Sequence, residues 1–187
     1  MKILHPFIPP LAVMLMAASA GASAQGVLVD RSEIRFMAKQ TGGSVEGRFR
    51  KWKANVDFRP KDPEKSKAVF EIELASIDLA SEESEAEVRK AEWFDTTRFP
   101  VATFRSSSVR ALGSDRYEVT GKLAMKGATR DLVVPVEVRR DAAGNTVAEA
   151  RFAVKRLPYR IGDGPWSDPS VVADDIAVRA RIVLSPQ

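Results

Sequence analysis

From Ser32 to Leu184 the sequence alternates between apolar and polar residues with few interruptions. A period of two puts successive side chains on opposite faces of an extended strand, so this chain must form sheets with one buried face. Ser32, Ile34, Phe36 and Ala38 share one face, opposite Glu33, Arg35 and Met37. Val45, Gly47 and Phe49 repeat the pattern, as do Ala54, Val56 and Phe58, and then Ala68, Phe70, Ile72 and Leu74. After position 100 come Ala102 and Phe104, Val119 to Met125, Leu132 to Val138, Ala148 to Val154, and Ile176 to Leu184. That makes about nine strands. Turn signals separate them at Gly42-Gly43, Pro60 to Pro63, Gly113-Ser114-Asp115, Gly127-Ala128 and Asp141 to Asn145. Strands so spaced predict an all-β, antiparallel sandwich or barrel.

One segment breaks the pattern. Ser81 to Phe94 reads as a helix, with a capping box at Ser84 and Glu87 or an N-cap at Ser81. Its acidic residues come early and Arg89 and Lys90 late, which complements the helix dipole. There is no repeat, low-complexity tract or linker, so residues 25–187 read as a single domain.

The N-terminus carries a different signal. Lys2 precedes an apolar core, Leu11 to Ala18, and then Ala22-Ser23-Ala24. This is the layout of a secretory signal peptide over residues 1–24, cleaved before Gln25. The other reading, a membrane anchor, is weakened by Pro6, Pro9 and Pro10, which shorten the run below the ~20 residues of a spanning helix. Export to a bacterial periplasm is expected. The chain has no Cys, and its one His is His5, inside the removed segment. The mature chain then has no disulfide, no thiol chemistry and no His-based nucleophile or metal site. With 29 Lys+Arg against 25 Asp+Glu, one of the basic residues being Lys2, it stays mildly basic, and no nucleic-acid partner is expected. Arg48, Arg50, Lys51 and Lys53 form the densest basic cluster, read as a solvated sheet face or a surface for anionic lipid or an acidic partner.

Two weaker constellations add little. Asp163, Asp168, Asp174 and Asp175 are oxygen ligands of the kind calcium takes, but they lack the EF-hand spacing and suit turns. Glu71 and Glu73 share an outward phase that suits cross-strand Lys or Arg better than glycosidase chemistry. No catalytic residue and no metal ligand is assigned.

Several segments resemble the YceI-like family. The most specific is Glu92-Trp93-Phe94-Asp95-Thr96-Thr97-Arg98-Phe99-Pro100-Val101-Ala102-Thr103-Phe104-Arg105-Ser106. Gly121 to Arg130 is similar to a second signature, and Ser32-x-Ile34-x-Phe36 with Val45-x-Gly47-x-Phe49 to the opening hairpin. Arg156, Ile161 to Asp168, and Asp174 to Val178 resemble the last loop and strand. The resemblance implies an eight-stranded (about 8–9) antiparallel lipocalin-like β-barrel with one short side helix. It also implies a polyisoprenoid lipid or quinone in the pore, with no cofactor required. Some members are linked to stress responses, and related domains occur beside cytochrome b561-type membrane proteins. Gln40 stands where members often carry His, and Leu157-Pro158-Tyr159-Arg160 replaces a more usual Asp-Phe-Gly stretch, so the headgroup end is expected to differ.

An isoprenoid tail needs only apolar lining and a polar group or two at the mouth. Strand phase nominates Phe36, Phe49, Phe58, Phe70, Ile72, Phe104, Leu123, Val136 and Phe152 as lining. Trp52, Trp93, Tyr159 and Trp166 are candidates to close the ends. The same residues suit a packed core, and the many Ala and Gly in the inward sets tilt the balance toward a cavity. The expected function is an exported, non-catalytic lipid-binding protein. The alternative is a filled barrel that docks a membrane redox partner. Homodimerisation stays open.

Overall fold

The computed structural model describes residues 25–186; the expected signal peptide lies outside them. The strands are β1 Glu33–Gln40, β2 Gly43–Phe49, β3 Trp52–Asp57, β4 Lys67–Glu73, β5 Ile77–Asp78, β6 Val101–Gly113, β7 Arg116–Met125, β8 Ala128–Arg140, β9 Thr146–Lys155 and β10 Asp175–Leu184. They form one sheet in the order β3-β4-β6-β7-β8-β9-β10-β1-β2-β5. Every neighbouring pair is antiparallel. The sheet curls into a lipocalin-like half-barrel. The tenth strand, β5, is two residues long, too short to register as alternation.

Chain continuity and one short strap bring the sheet edges together. β3 follows β2 after two residues, and β5 follows β4 through the turn Leu74–Ser76. Gln25 bridges to Val56 next to β10's partner residue Val27, which bridges to Leu184. The Leu28 N–H donates to the Val183 carbonyl at 2.8 Å and the Ser185 N–H to the Gly26 carbonyl at 2.8 Å. The first described residues therefore span from β10 to β3.

Two irregularities have local causes. β6 slips register between Ser106 and Ser108, and again between Ala111 and Gly113. A bulge of this kind reverses which parity faces inward. β8 and β9 pair only from Val136↔Ala150 to Arg140↔Thr146. The next residue of β8 is Pro135, which has no N–H with which to extend a ladder. The turn Leu157–Tyr159 packs beside β8 instead, and Arg130 donates to the Pro158 carbonyl at 3.2 Å.

The helix is shorter than the sequence predicts. It spans Glu82–Val88, with Ser81 as N-cap accepting from the Ser84 N–H at 3.2 Å. The segment to Phe94 continues as turns, because Asp95 takes a left-handed conformation and Trp93 and Phe94 are drawn into the barrel wall.

The β8–β9 hairpin is tied by Asp141. Its carboxylate accepts from the Asn145 side-chain amide at 2.9 Å, from the backbone N–H groups of Ala143 and Asn145 at 2.9 Å each, and from Arg31 at 2.8 Å. The Asn145 amide, with these other donors, holds the Asp141 carboxyl down at about 2. The ordinary unfolded value is ~3.9, so folding favours the ionised form. The resulting stability is complete above about pH 4 and is lost as the pH falls through about 2. Asp141→Asn is expected to remove that part of the acid dependence. Melting temperature measured from about pH 2 to pH 5 checks this; a curve parallel to the parent's would contradict it.

Candidate functional site

The curl encloses a cavity of about 600 Å³. This falls within the ~300–1,000 Å³ of small-molecule sites. Its wall is the inward phase of the strands. Phe36 comes from β1, Phe49 from β2, Phe70 and Ile72 from β4, Phe104 from β6, Leu123 from β7, Val136 from β8 and Phe152 from β9; Phe58 follows β3. The six phenylalanines remain half-buried, not fully buried. In a filled barrel the inward rings would be sealed; here they keep accessible surface because they look into the cavity.

Small residues make this space. Ala38, Ala68, Ala102, Ala148, Ala150 and Ala180 also lie in the wall. Two glycines act as seats for rings. A Cβ on Gly47 would lie 2.5 Å from Phe36 Cζ, and one on Gly121 would lie 2.6 Å from Phe104 Cζ and collide with the Arg105 carbonyl. Each ring therefore lies against bare backbone on the neighbouring strand. Phe36 and Phe49 pack at 5.6 Å between centroids, and Phe49 and Phe94 edge-to-face at 6.3 Å.

The four residues nominated for the ends divide. Trp93 and Trp166 lie in the wall, with their rings 5.5 Å apart. Trp52 and Tyr159 do not. The two residues between β2 and β3 bring Trp52 into the inward phase, where it is buried with Ile34, Ile182 and Leu184 as core. Tyr159 is pulled under the Leu157–Tyr159 turn against Leu123 and Ile161, and burial pushes its phenol pKa up. Val109 and Tyr117 are among the wall residues that escape the strand-phase reading. Val109 faces inward because the β6 bulge reverses parity after Ser106. Tyr117, packed edge-to-face on Phe58 at 5.2 Å, shares the phase of Val119 and extends that set by one residue.

The rim is held by two buried cations. Arg156 is 2% exposed. Its guanidinium donates to the carbonyls of Ile161 at 2.8 Å, Gly162 at 3.2 Å, Trp166 at 2.7 Å, Val172 at 2.6 Å and Ala173 at 3.1 Å. Burial lowers its pKa. Gly162 has a φ of +77°, and any Cβ there would collide with the Arg156 guanidinium. Lys126, 4% exposed, donates to the carbonyls of Glu92 and Arg160, and burial lowers its pKa too. Together these side chains fix Trp93 and Trp166 at the cavity. The remaining polar wall on the helix side is Gln40 with Glu83, Ser84 and Glu87 of the helix.

The acidic residues of the last loop are taken up by local partners, Asp174 and Asp175 sharing Lys155. Asp174 accepts from the Leu157 N–H at 2.9 Å, Asp168 from the Ser170 N–H at 2.8 Å, and Asp175 meets Lys155 at 3.1 Å. Asp163 lies 3.8 Å from Lys126. Glu71 and Glu73 meet Lys53 and Lys51 across the sheet at 3.6 and 3.7 Å.

The YceI-like domain model matches residues 27–184. The chain belongs to the YceI-like family. Among solved structures, this YceI-like protein is similar to Burkholderia cenocepacia BcnA, at 33% identity and a TM-score of 0.82 over 86% of this chain and 100% of that one. It shares its fold with a polyisoprenoid binding domain from Saccharophagus degradans implicated in plant cell wall breakdown, at 17% identity and a TM-score of 0.70, over 88% of this chain and 99% of that one. A UPF0312 protein of Azotobacter vinelandii is 30% identical over 102 residues, 54% of this chain. That match spans 53% of the relative's own length, about half.

Arg156→Met removes five donors to backbone carbonyls, at least three of which are then left without a replacement in the buried rim. The expected cost is about 3 kcal/mol, with faster amide exchange confined to residues 157–174. Hydrogen exchange by mass spectrometry checks this; unchanged protection there would contradict the assigned role.

Proposed function

We propose that this YceI-like protein is an exported, non-catalytic binding protein that holds a long isoprenoid lipid, such as a quinone or polyprenyl lipid, in the apolar cavity. The observation that carries this reading is the hollow interior: half-buried phenylalanines and small residues around about 600 Å³ of space. An isoprenoid tail suits such a wall without any polar motif. Each buried CH₂ contributes ~0.8 kcal/mol, so one five-carbon unit is worth roughly 3–4 kcal/mol before ordering costs. The ligand class of the Saccharophagus degradans domain supports the same assignment.

The head of the ligand meets the Trp93 end. The Trp93 indole Nε1 is buried with no hydrogen-bond partner among the described residues. A buried donor without an acceptor is costly, and a ligand carbonyl that displaced the side chains covering it would satisfy it. Arg156 and Lys126 near this end are already taken up by backbone carbonyls and Glu87 pairs with Lys90, so an uncharged head such as a quinone ring suits it. Ala22-Ser23-Ala24 directly before Gln25 supports export to the periplasm. A mature chain without His or Cys supports binding in place of catalysis. The alternative, a filled barrel docking a cytochrome b561-type partner, is disfavoured by the unfilled interior.

Native mass spectrometry of the exported protein, with solvent extraction of whatever it releases, tests the proposal. A co-purifying isoprenoid, or uptake of added quinone, is the expected result. Ala150→Phe with Ala180→Phe, on adjacent strands of the wall, is expected to fill the pore and abolish uptake while the fold persists by circular dichroism. Phe70→Asp is expected to do the same by facing the tail with a carboxylate. A clean apo mass with no uptake of quinone or polyprenol would overturn the proposal.

A further inference from the structure

The basic cluster that stands out in the sequence is largely neutralised in the fold. Arg48 and Arg50 both reach Asp78 at 2.6 Å, and Lys51 and Lys53 face Glu73 and Glu71. Uncompensated charge remains in a second basic feature, which register assembles from four separate segments and which shares only Arg48 with this cluster. Arg48 of β2 is directly opposite Arg35 of β1, Arg35 is opposite Arg179 of β10, and Arg179 is opposite Arg151 of β9. This is an unbroken row of four guanidiniums across four adjacent strands, all on the outer face and all exposed. At the ~4.8 Å spacing of neighbouring strands the row is about 14 Å long.

Like charges directly opposite one another destabilise a sheet. The next row toward the strap shows how the same strands avoid this: Glu33, Arg181 and Glu149 alternate in sign. In the arginine row, Arg35 pairs with Glu33 at 2.7 Å and Arg48 shares Asp78, but Arg151 and Arg179 have no ion pair or hydrogen bond among the described residues. The row on the other side is Met37, Ala177 and Ala153, which offers no carboxylate to these two arginines; Glu46 ends it beyond Met37.

We propose that this arginine row is a docking surface for an anionic phospholipid bilayer. Guanidinium forks match phosphate oxygens, and a straight line of them on a convex wall fits a plane of headgroups better than a concave pocket. The choice of a bilayer over an acidic protein rests on the isoprenoid reading above, because such a cargo resides in membranes. Docking there would bring the barrel to the source of its ligand.

Co-sedimentation with phosphatidylcholine vesicles, with and without phosphatidylglycerol, tests the proposal independently of what the cavity holds. Binding is expected only to the anionic vesicles, and it should fall as salt is raised. Arg151→Gln with Arg179→Gln is expected to weaken partitioning by roughly 10- to 30-fold. The same variant should keep or raise the melting temperature, since it relieves repulsion. Lys122→Gln, on β7 and paired with Asp131, is the control and should change nothing. No vesicle binding, or binding to anionic vesicles that the double variant leaves intact, would overturn the proposal and leave the row to an acidic protein partner. Vesicle docking without uptake of quinone or polyprenol would overturn the cavity reading while leaving the surface standing.

Discussion

The structure depends on a mismatch between the width of a curled ten-stranded sheet and the reach of its inward side chains. Small inward residues alternate with large ones around the wall. In a narrow barrel that alternation packs solid, since small positions accept neighbouring rings. Here two of the phenylalanines, Phe36 and Phe104, are laid over glycines of the neighbouring strands. A ring lying over Gly47 or Gly121 gives up the centre of the barrel to lie flat on its wall. The cavity is therefore written into which positions are glycine as much as into which are aromatic.

Holding a hollow interior open requires stability from elsewhere. The buried core is split into two pads. One joins Ile34, Trp52, Ile182 and Leu184, and the other joins Leu123, Tyr159 and Ile161. The second lies under the rim loop that Arg156 and Lys126 fasten. Both cations are satisfied by carbonyls of a chain that has no regular ladder of its own, which is how an irregular segment can be buried without orphaned acceptors. The desolvation that lowers both pKa values is the cost of this arrangement, and the fixed positions of Trp93 and Trp166 are its result.

Most of this was legible in the sequence because a strand's period is exact. Phase alone brings all nine nominated lining residues to one wall, since a one-residue slip would move every one of them outward. Legibility failed where local geometry departs from the period. The β6 bulge hid Val109, and the break between β2 and β3 brought Trp52 into the core. The helix stops at Val88, well before the Phe94 that its charge pattern predicts, because tertiary contacts of Trp93 and Phe94 outweigh the weak propensity of a short helix. Arg156 stood out only through the resemblance of the last loop, and its burial carried no signal, for a lone basic residue at a strand end is ordinarily solvated. The arginine row was equally invisible, because its members are scattered from Arg35 to Arg179 and only the pairing of β9, β10, β1 and β2 aligns them.

The hollow interior also ties stability to occupancy. An apolar wall facing an unfilled space forgoes the dispersion contacts that a packed core would supply, and those contacts return when an apolar ligand enters. A ligand that binds only the folded barrel stabilises it by RT ln(1 + [L]/Kd), so its concentration enters the folding equilibrium directly. The rim loop bounds the interior through Arg156, Ile161, Trp166 and Val172 and does not belong to the long ladders. Filling the cavity would add packing against it. An apolar ligand in this cavity would take the structural place of the central core that the glycine and alanine positions do not supply.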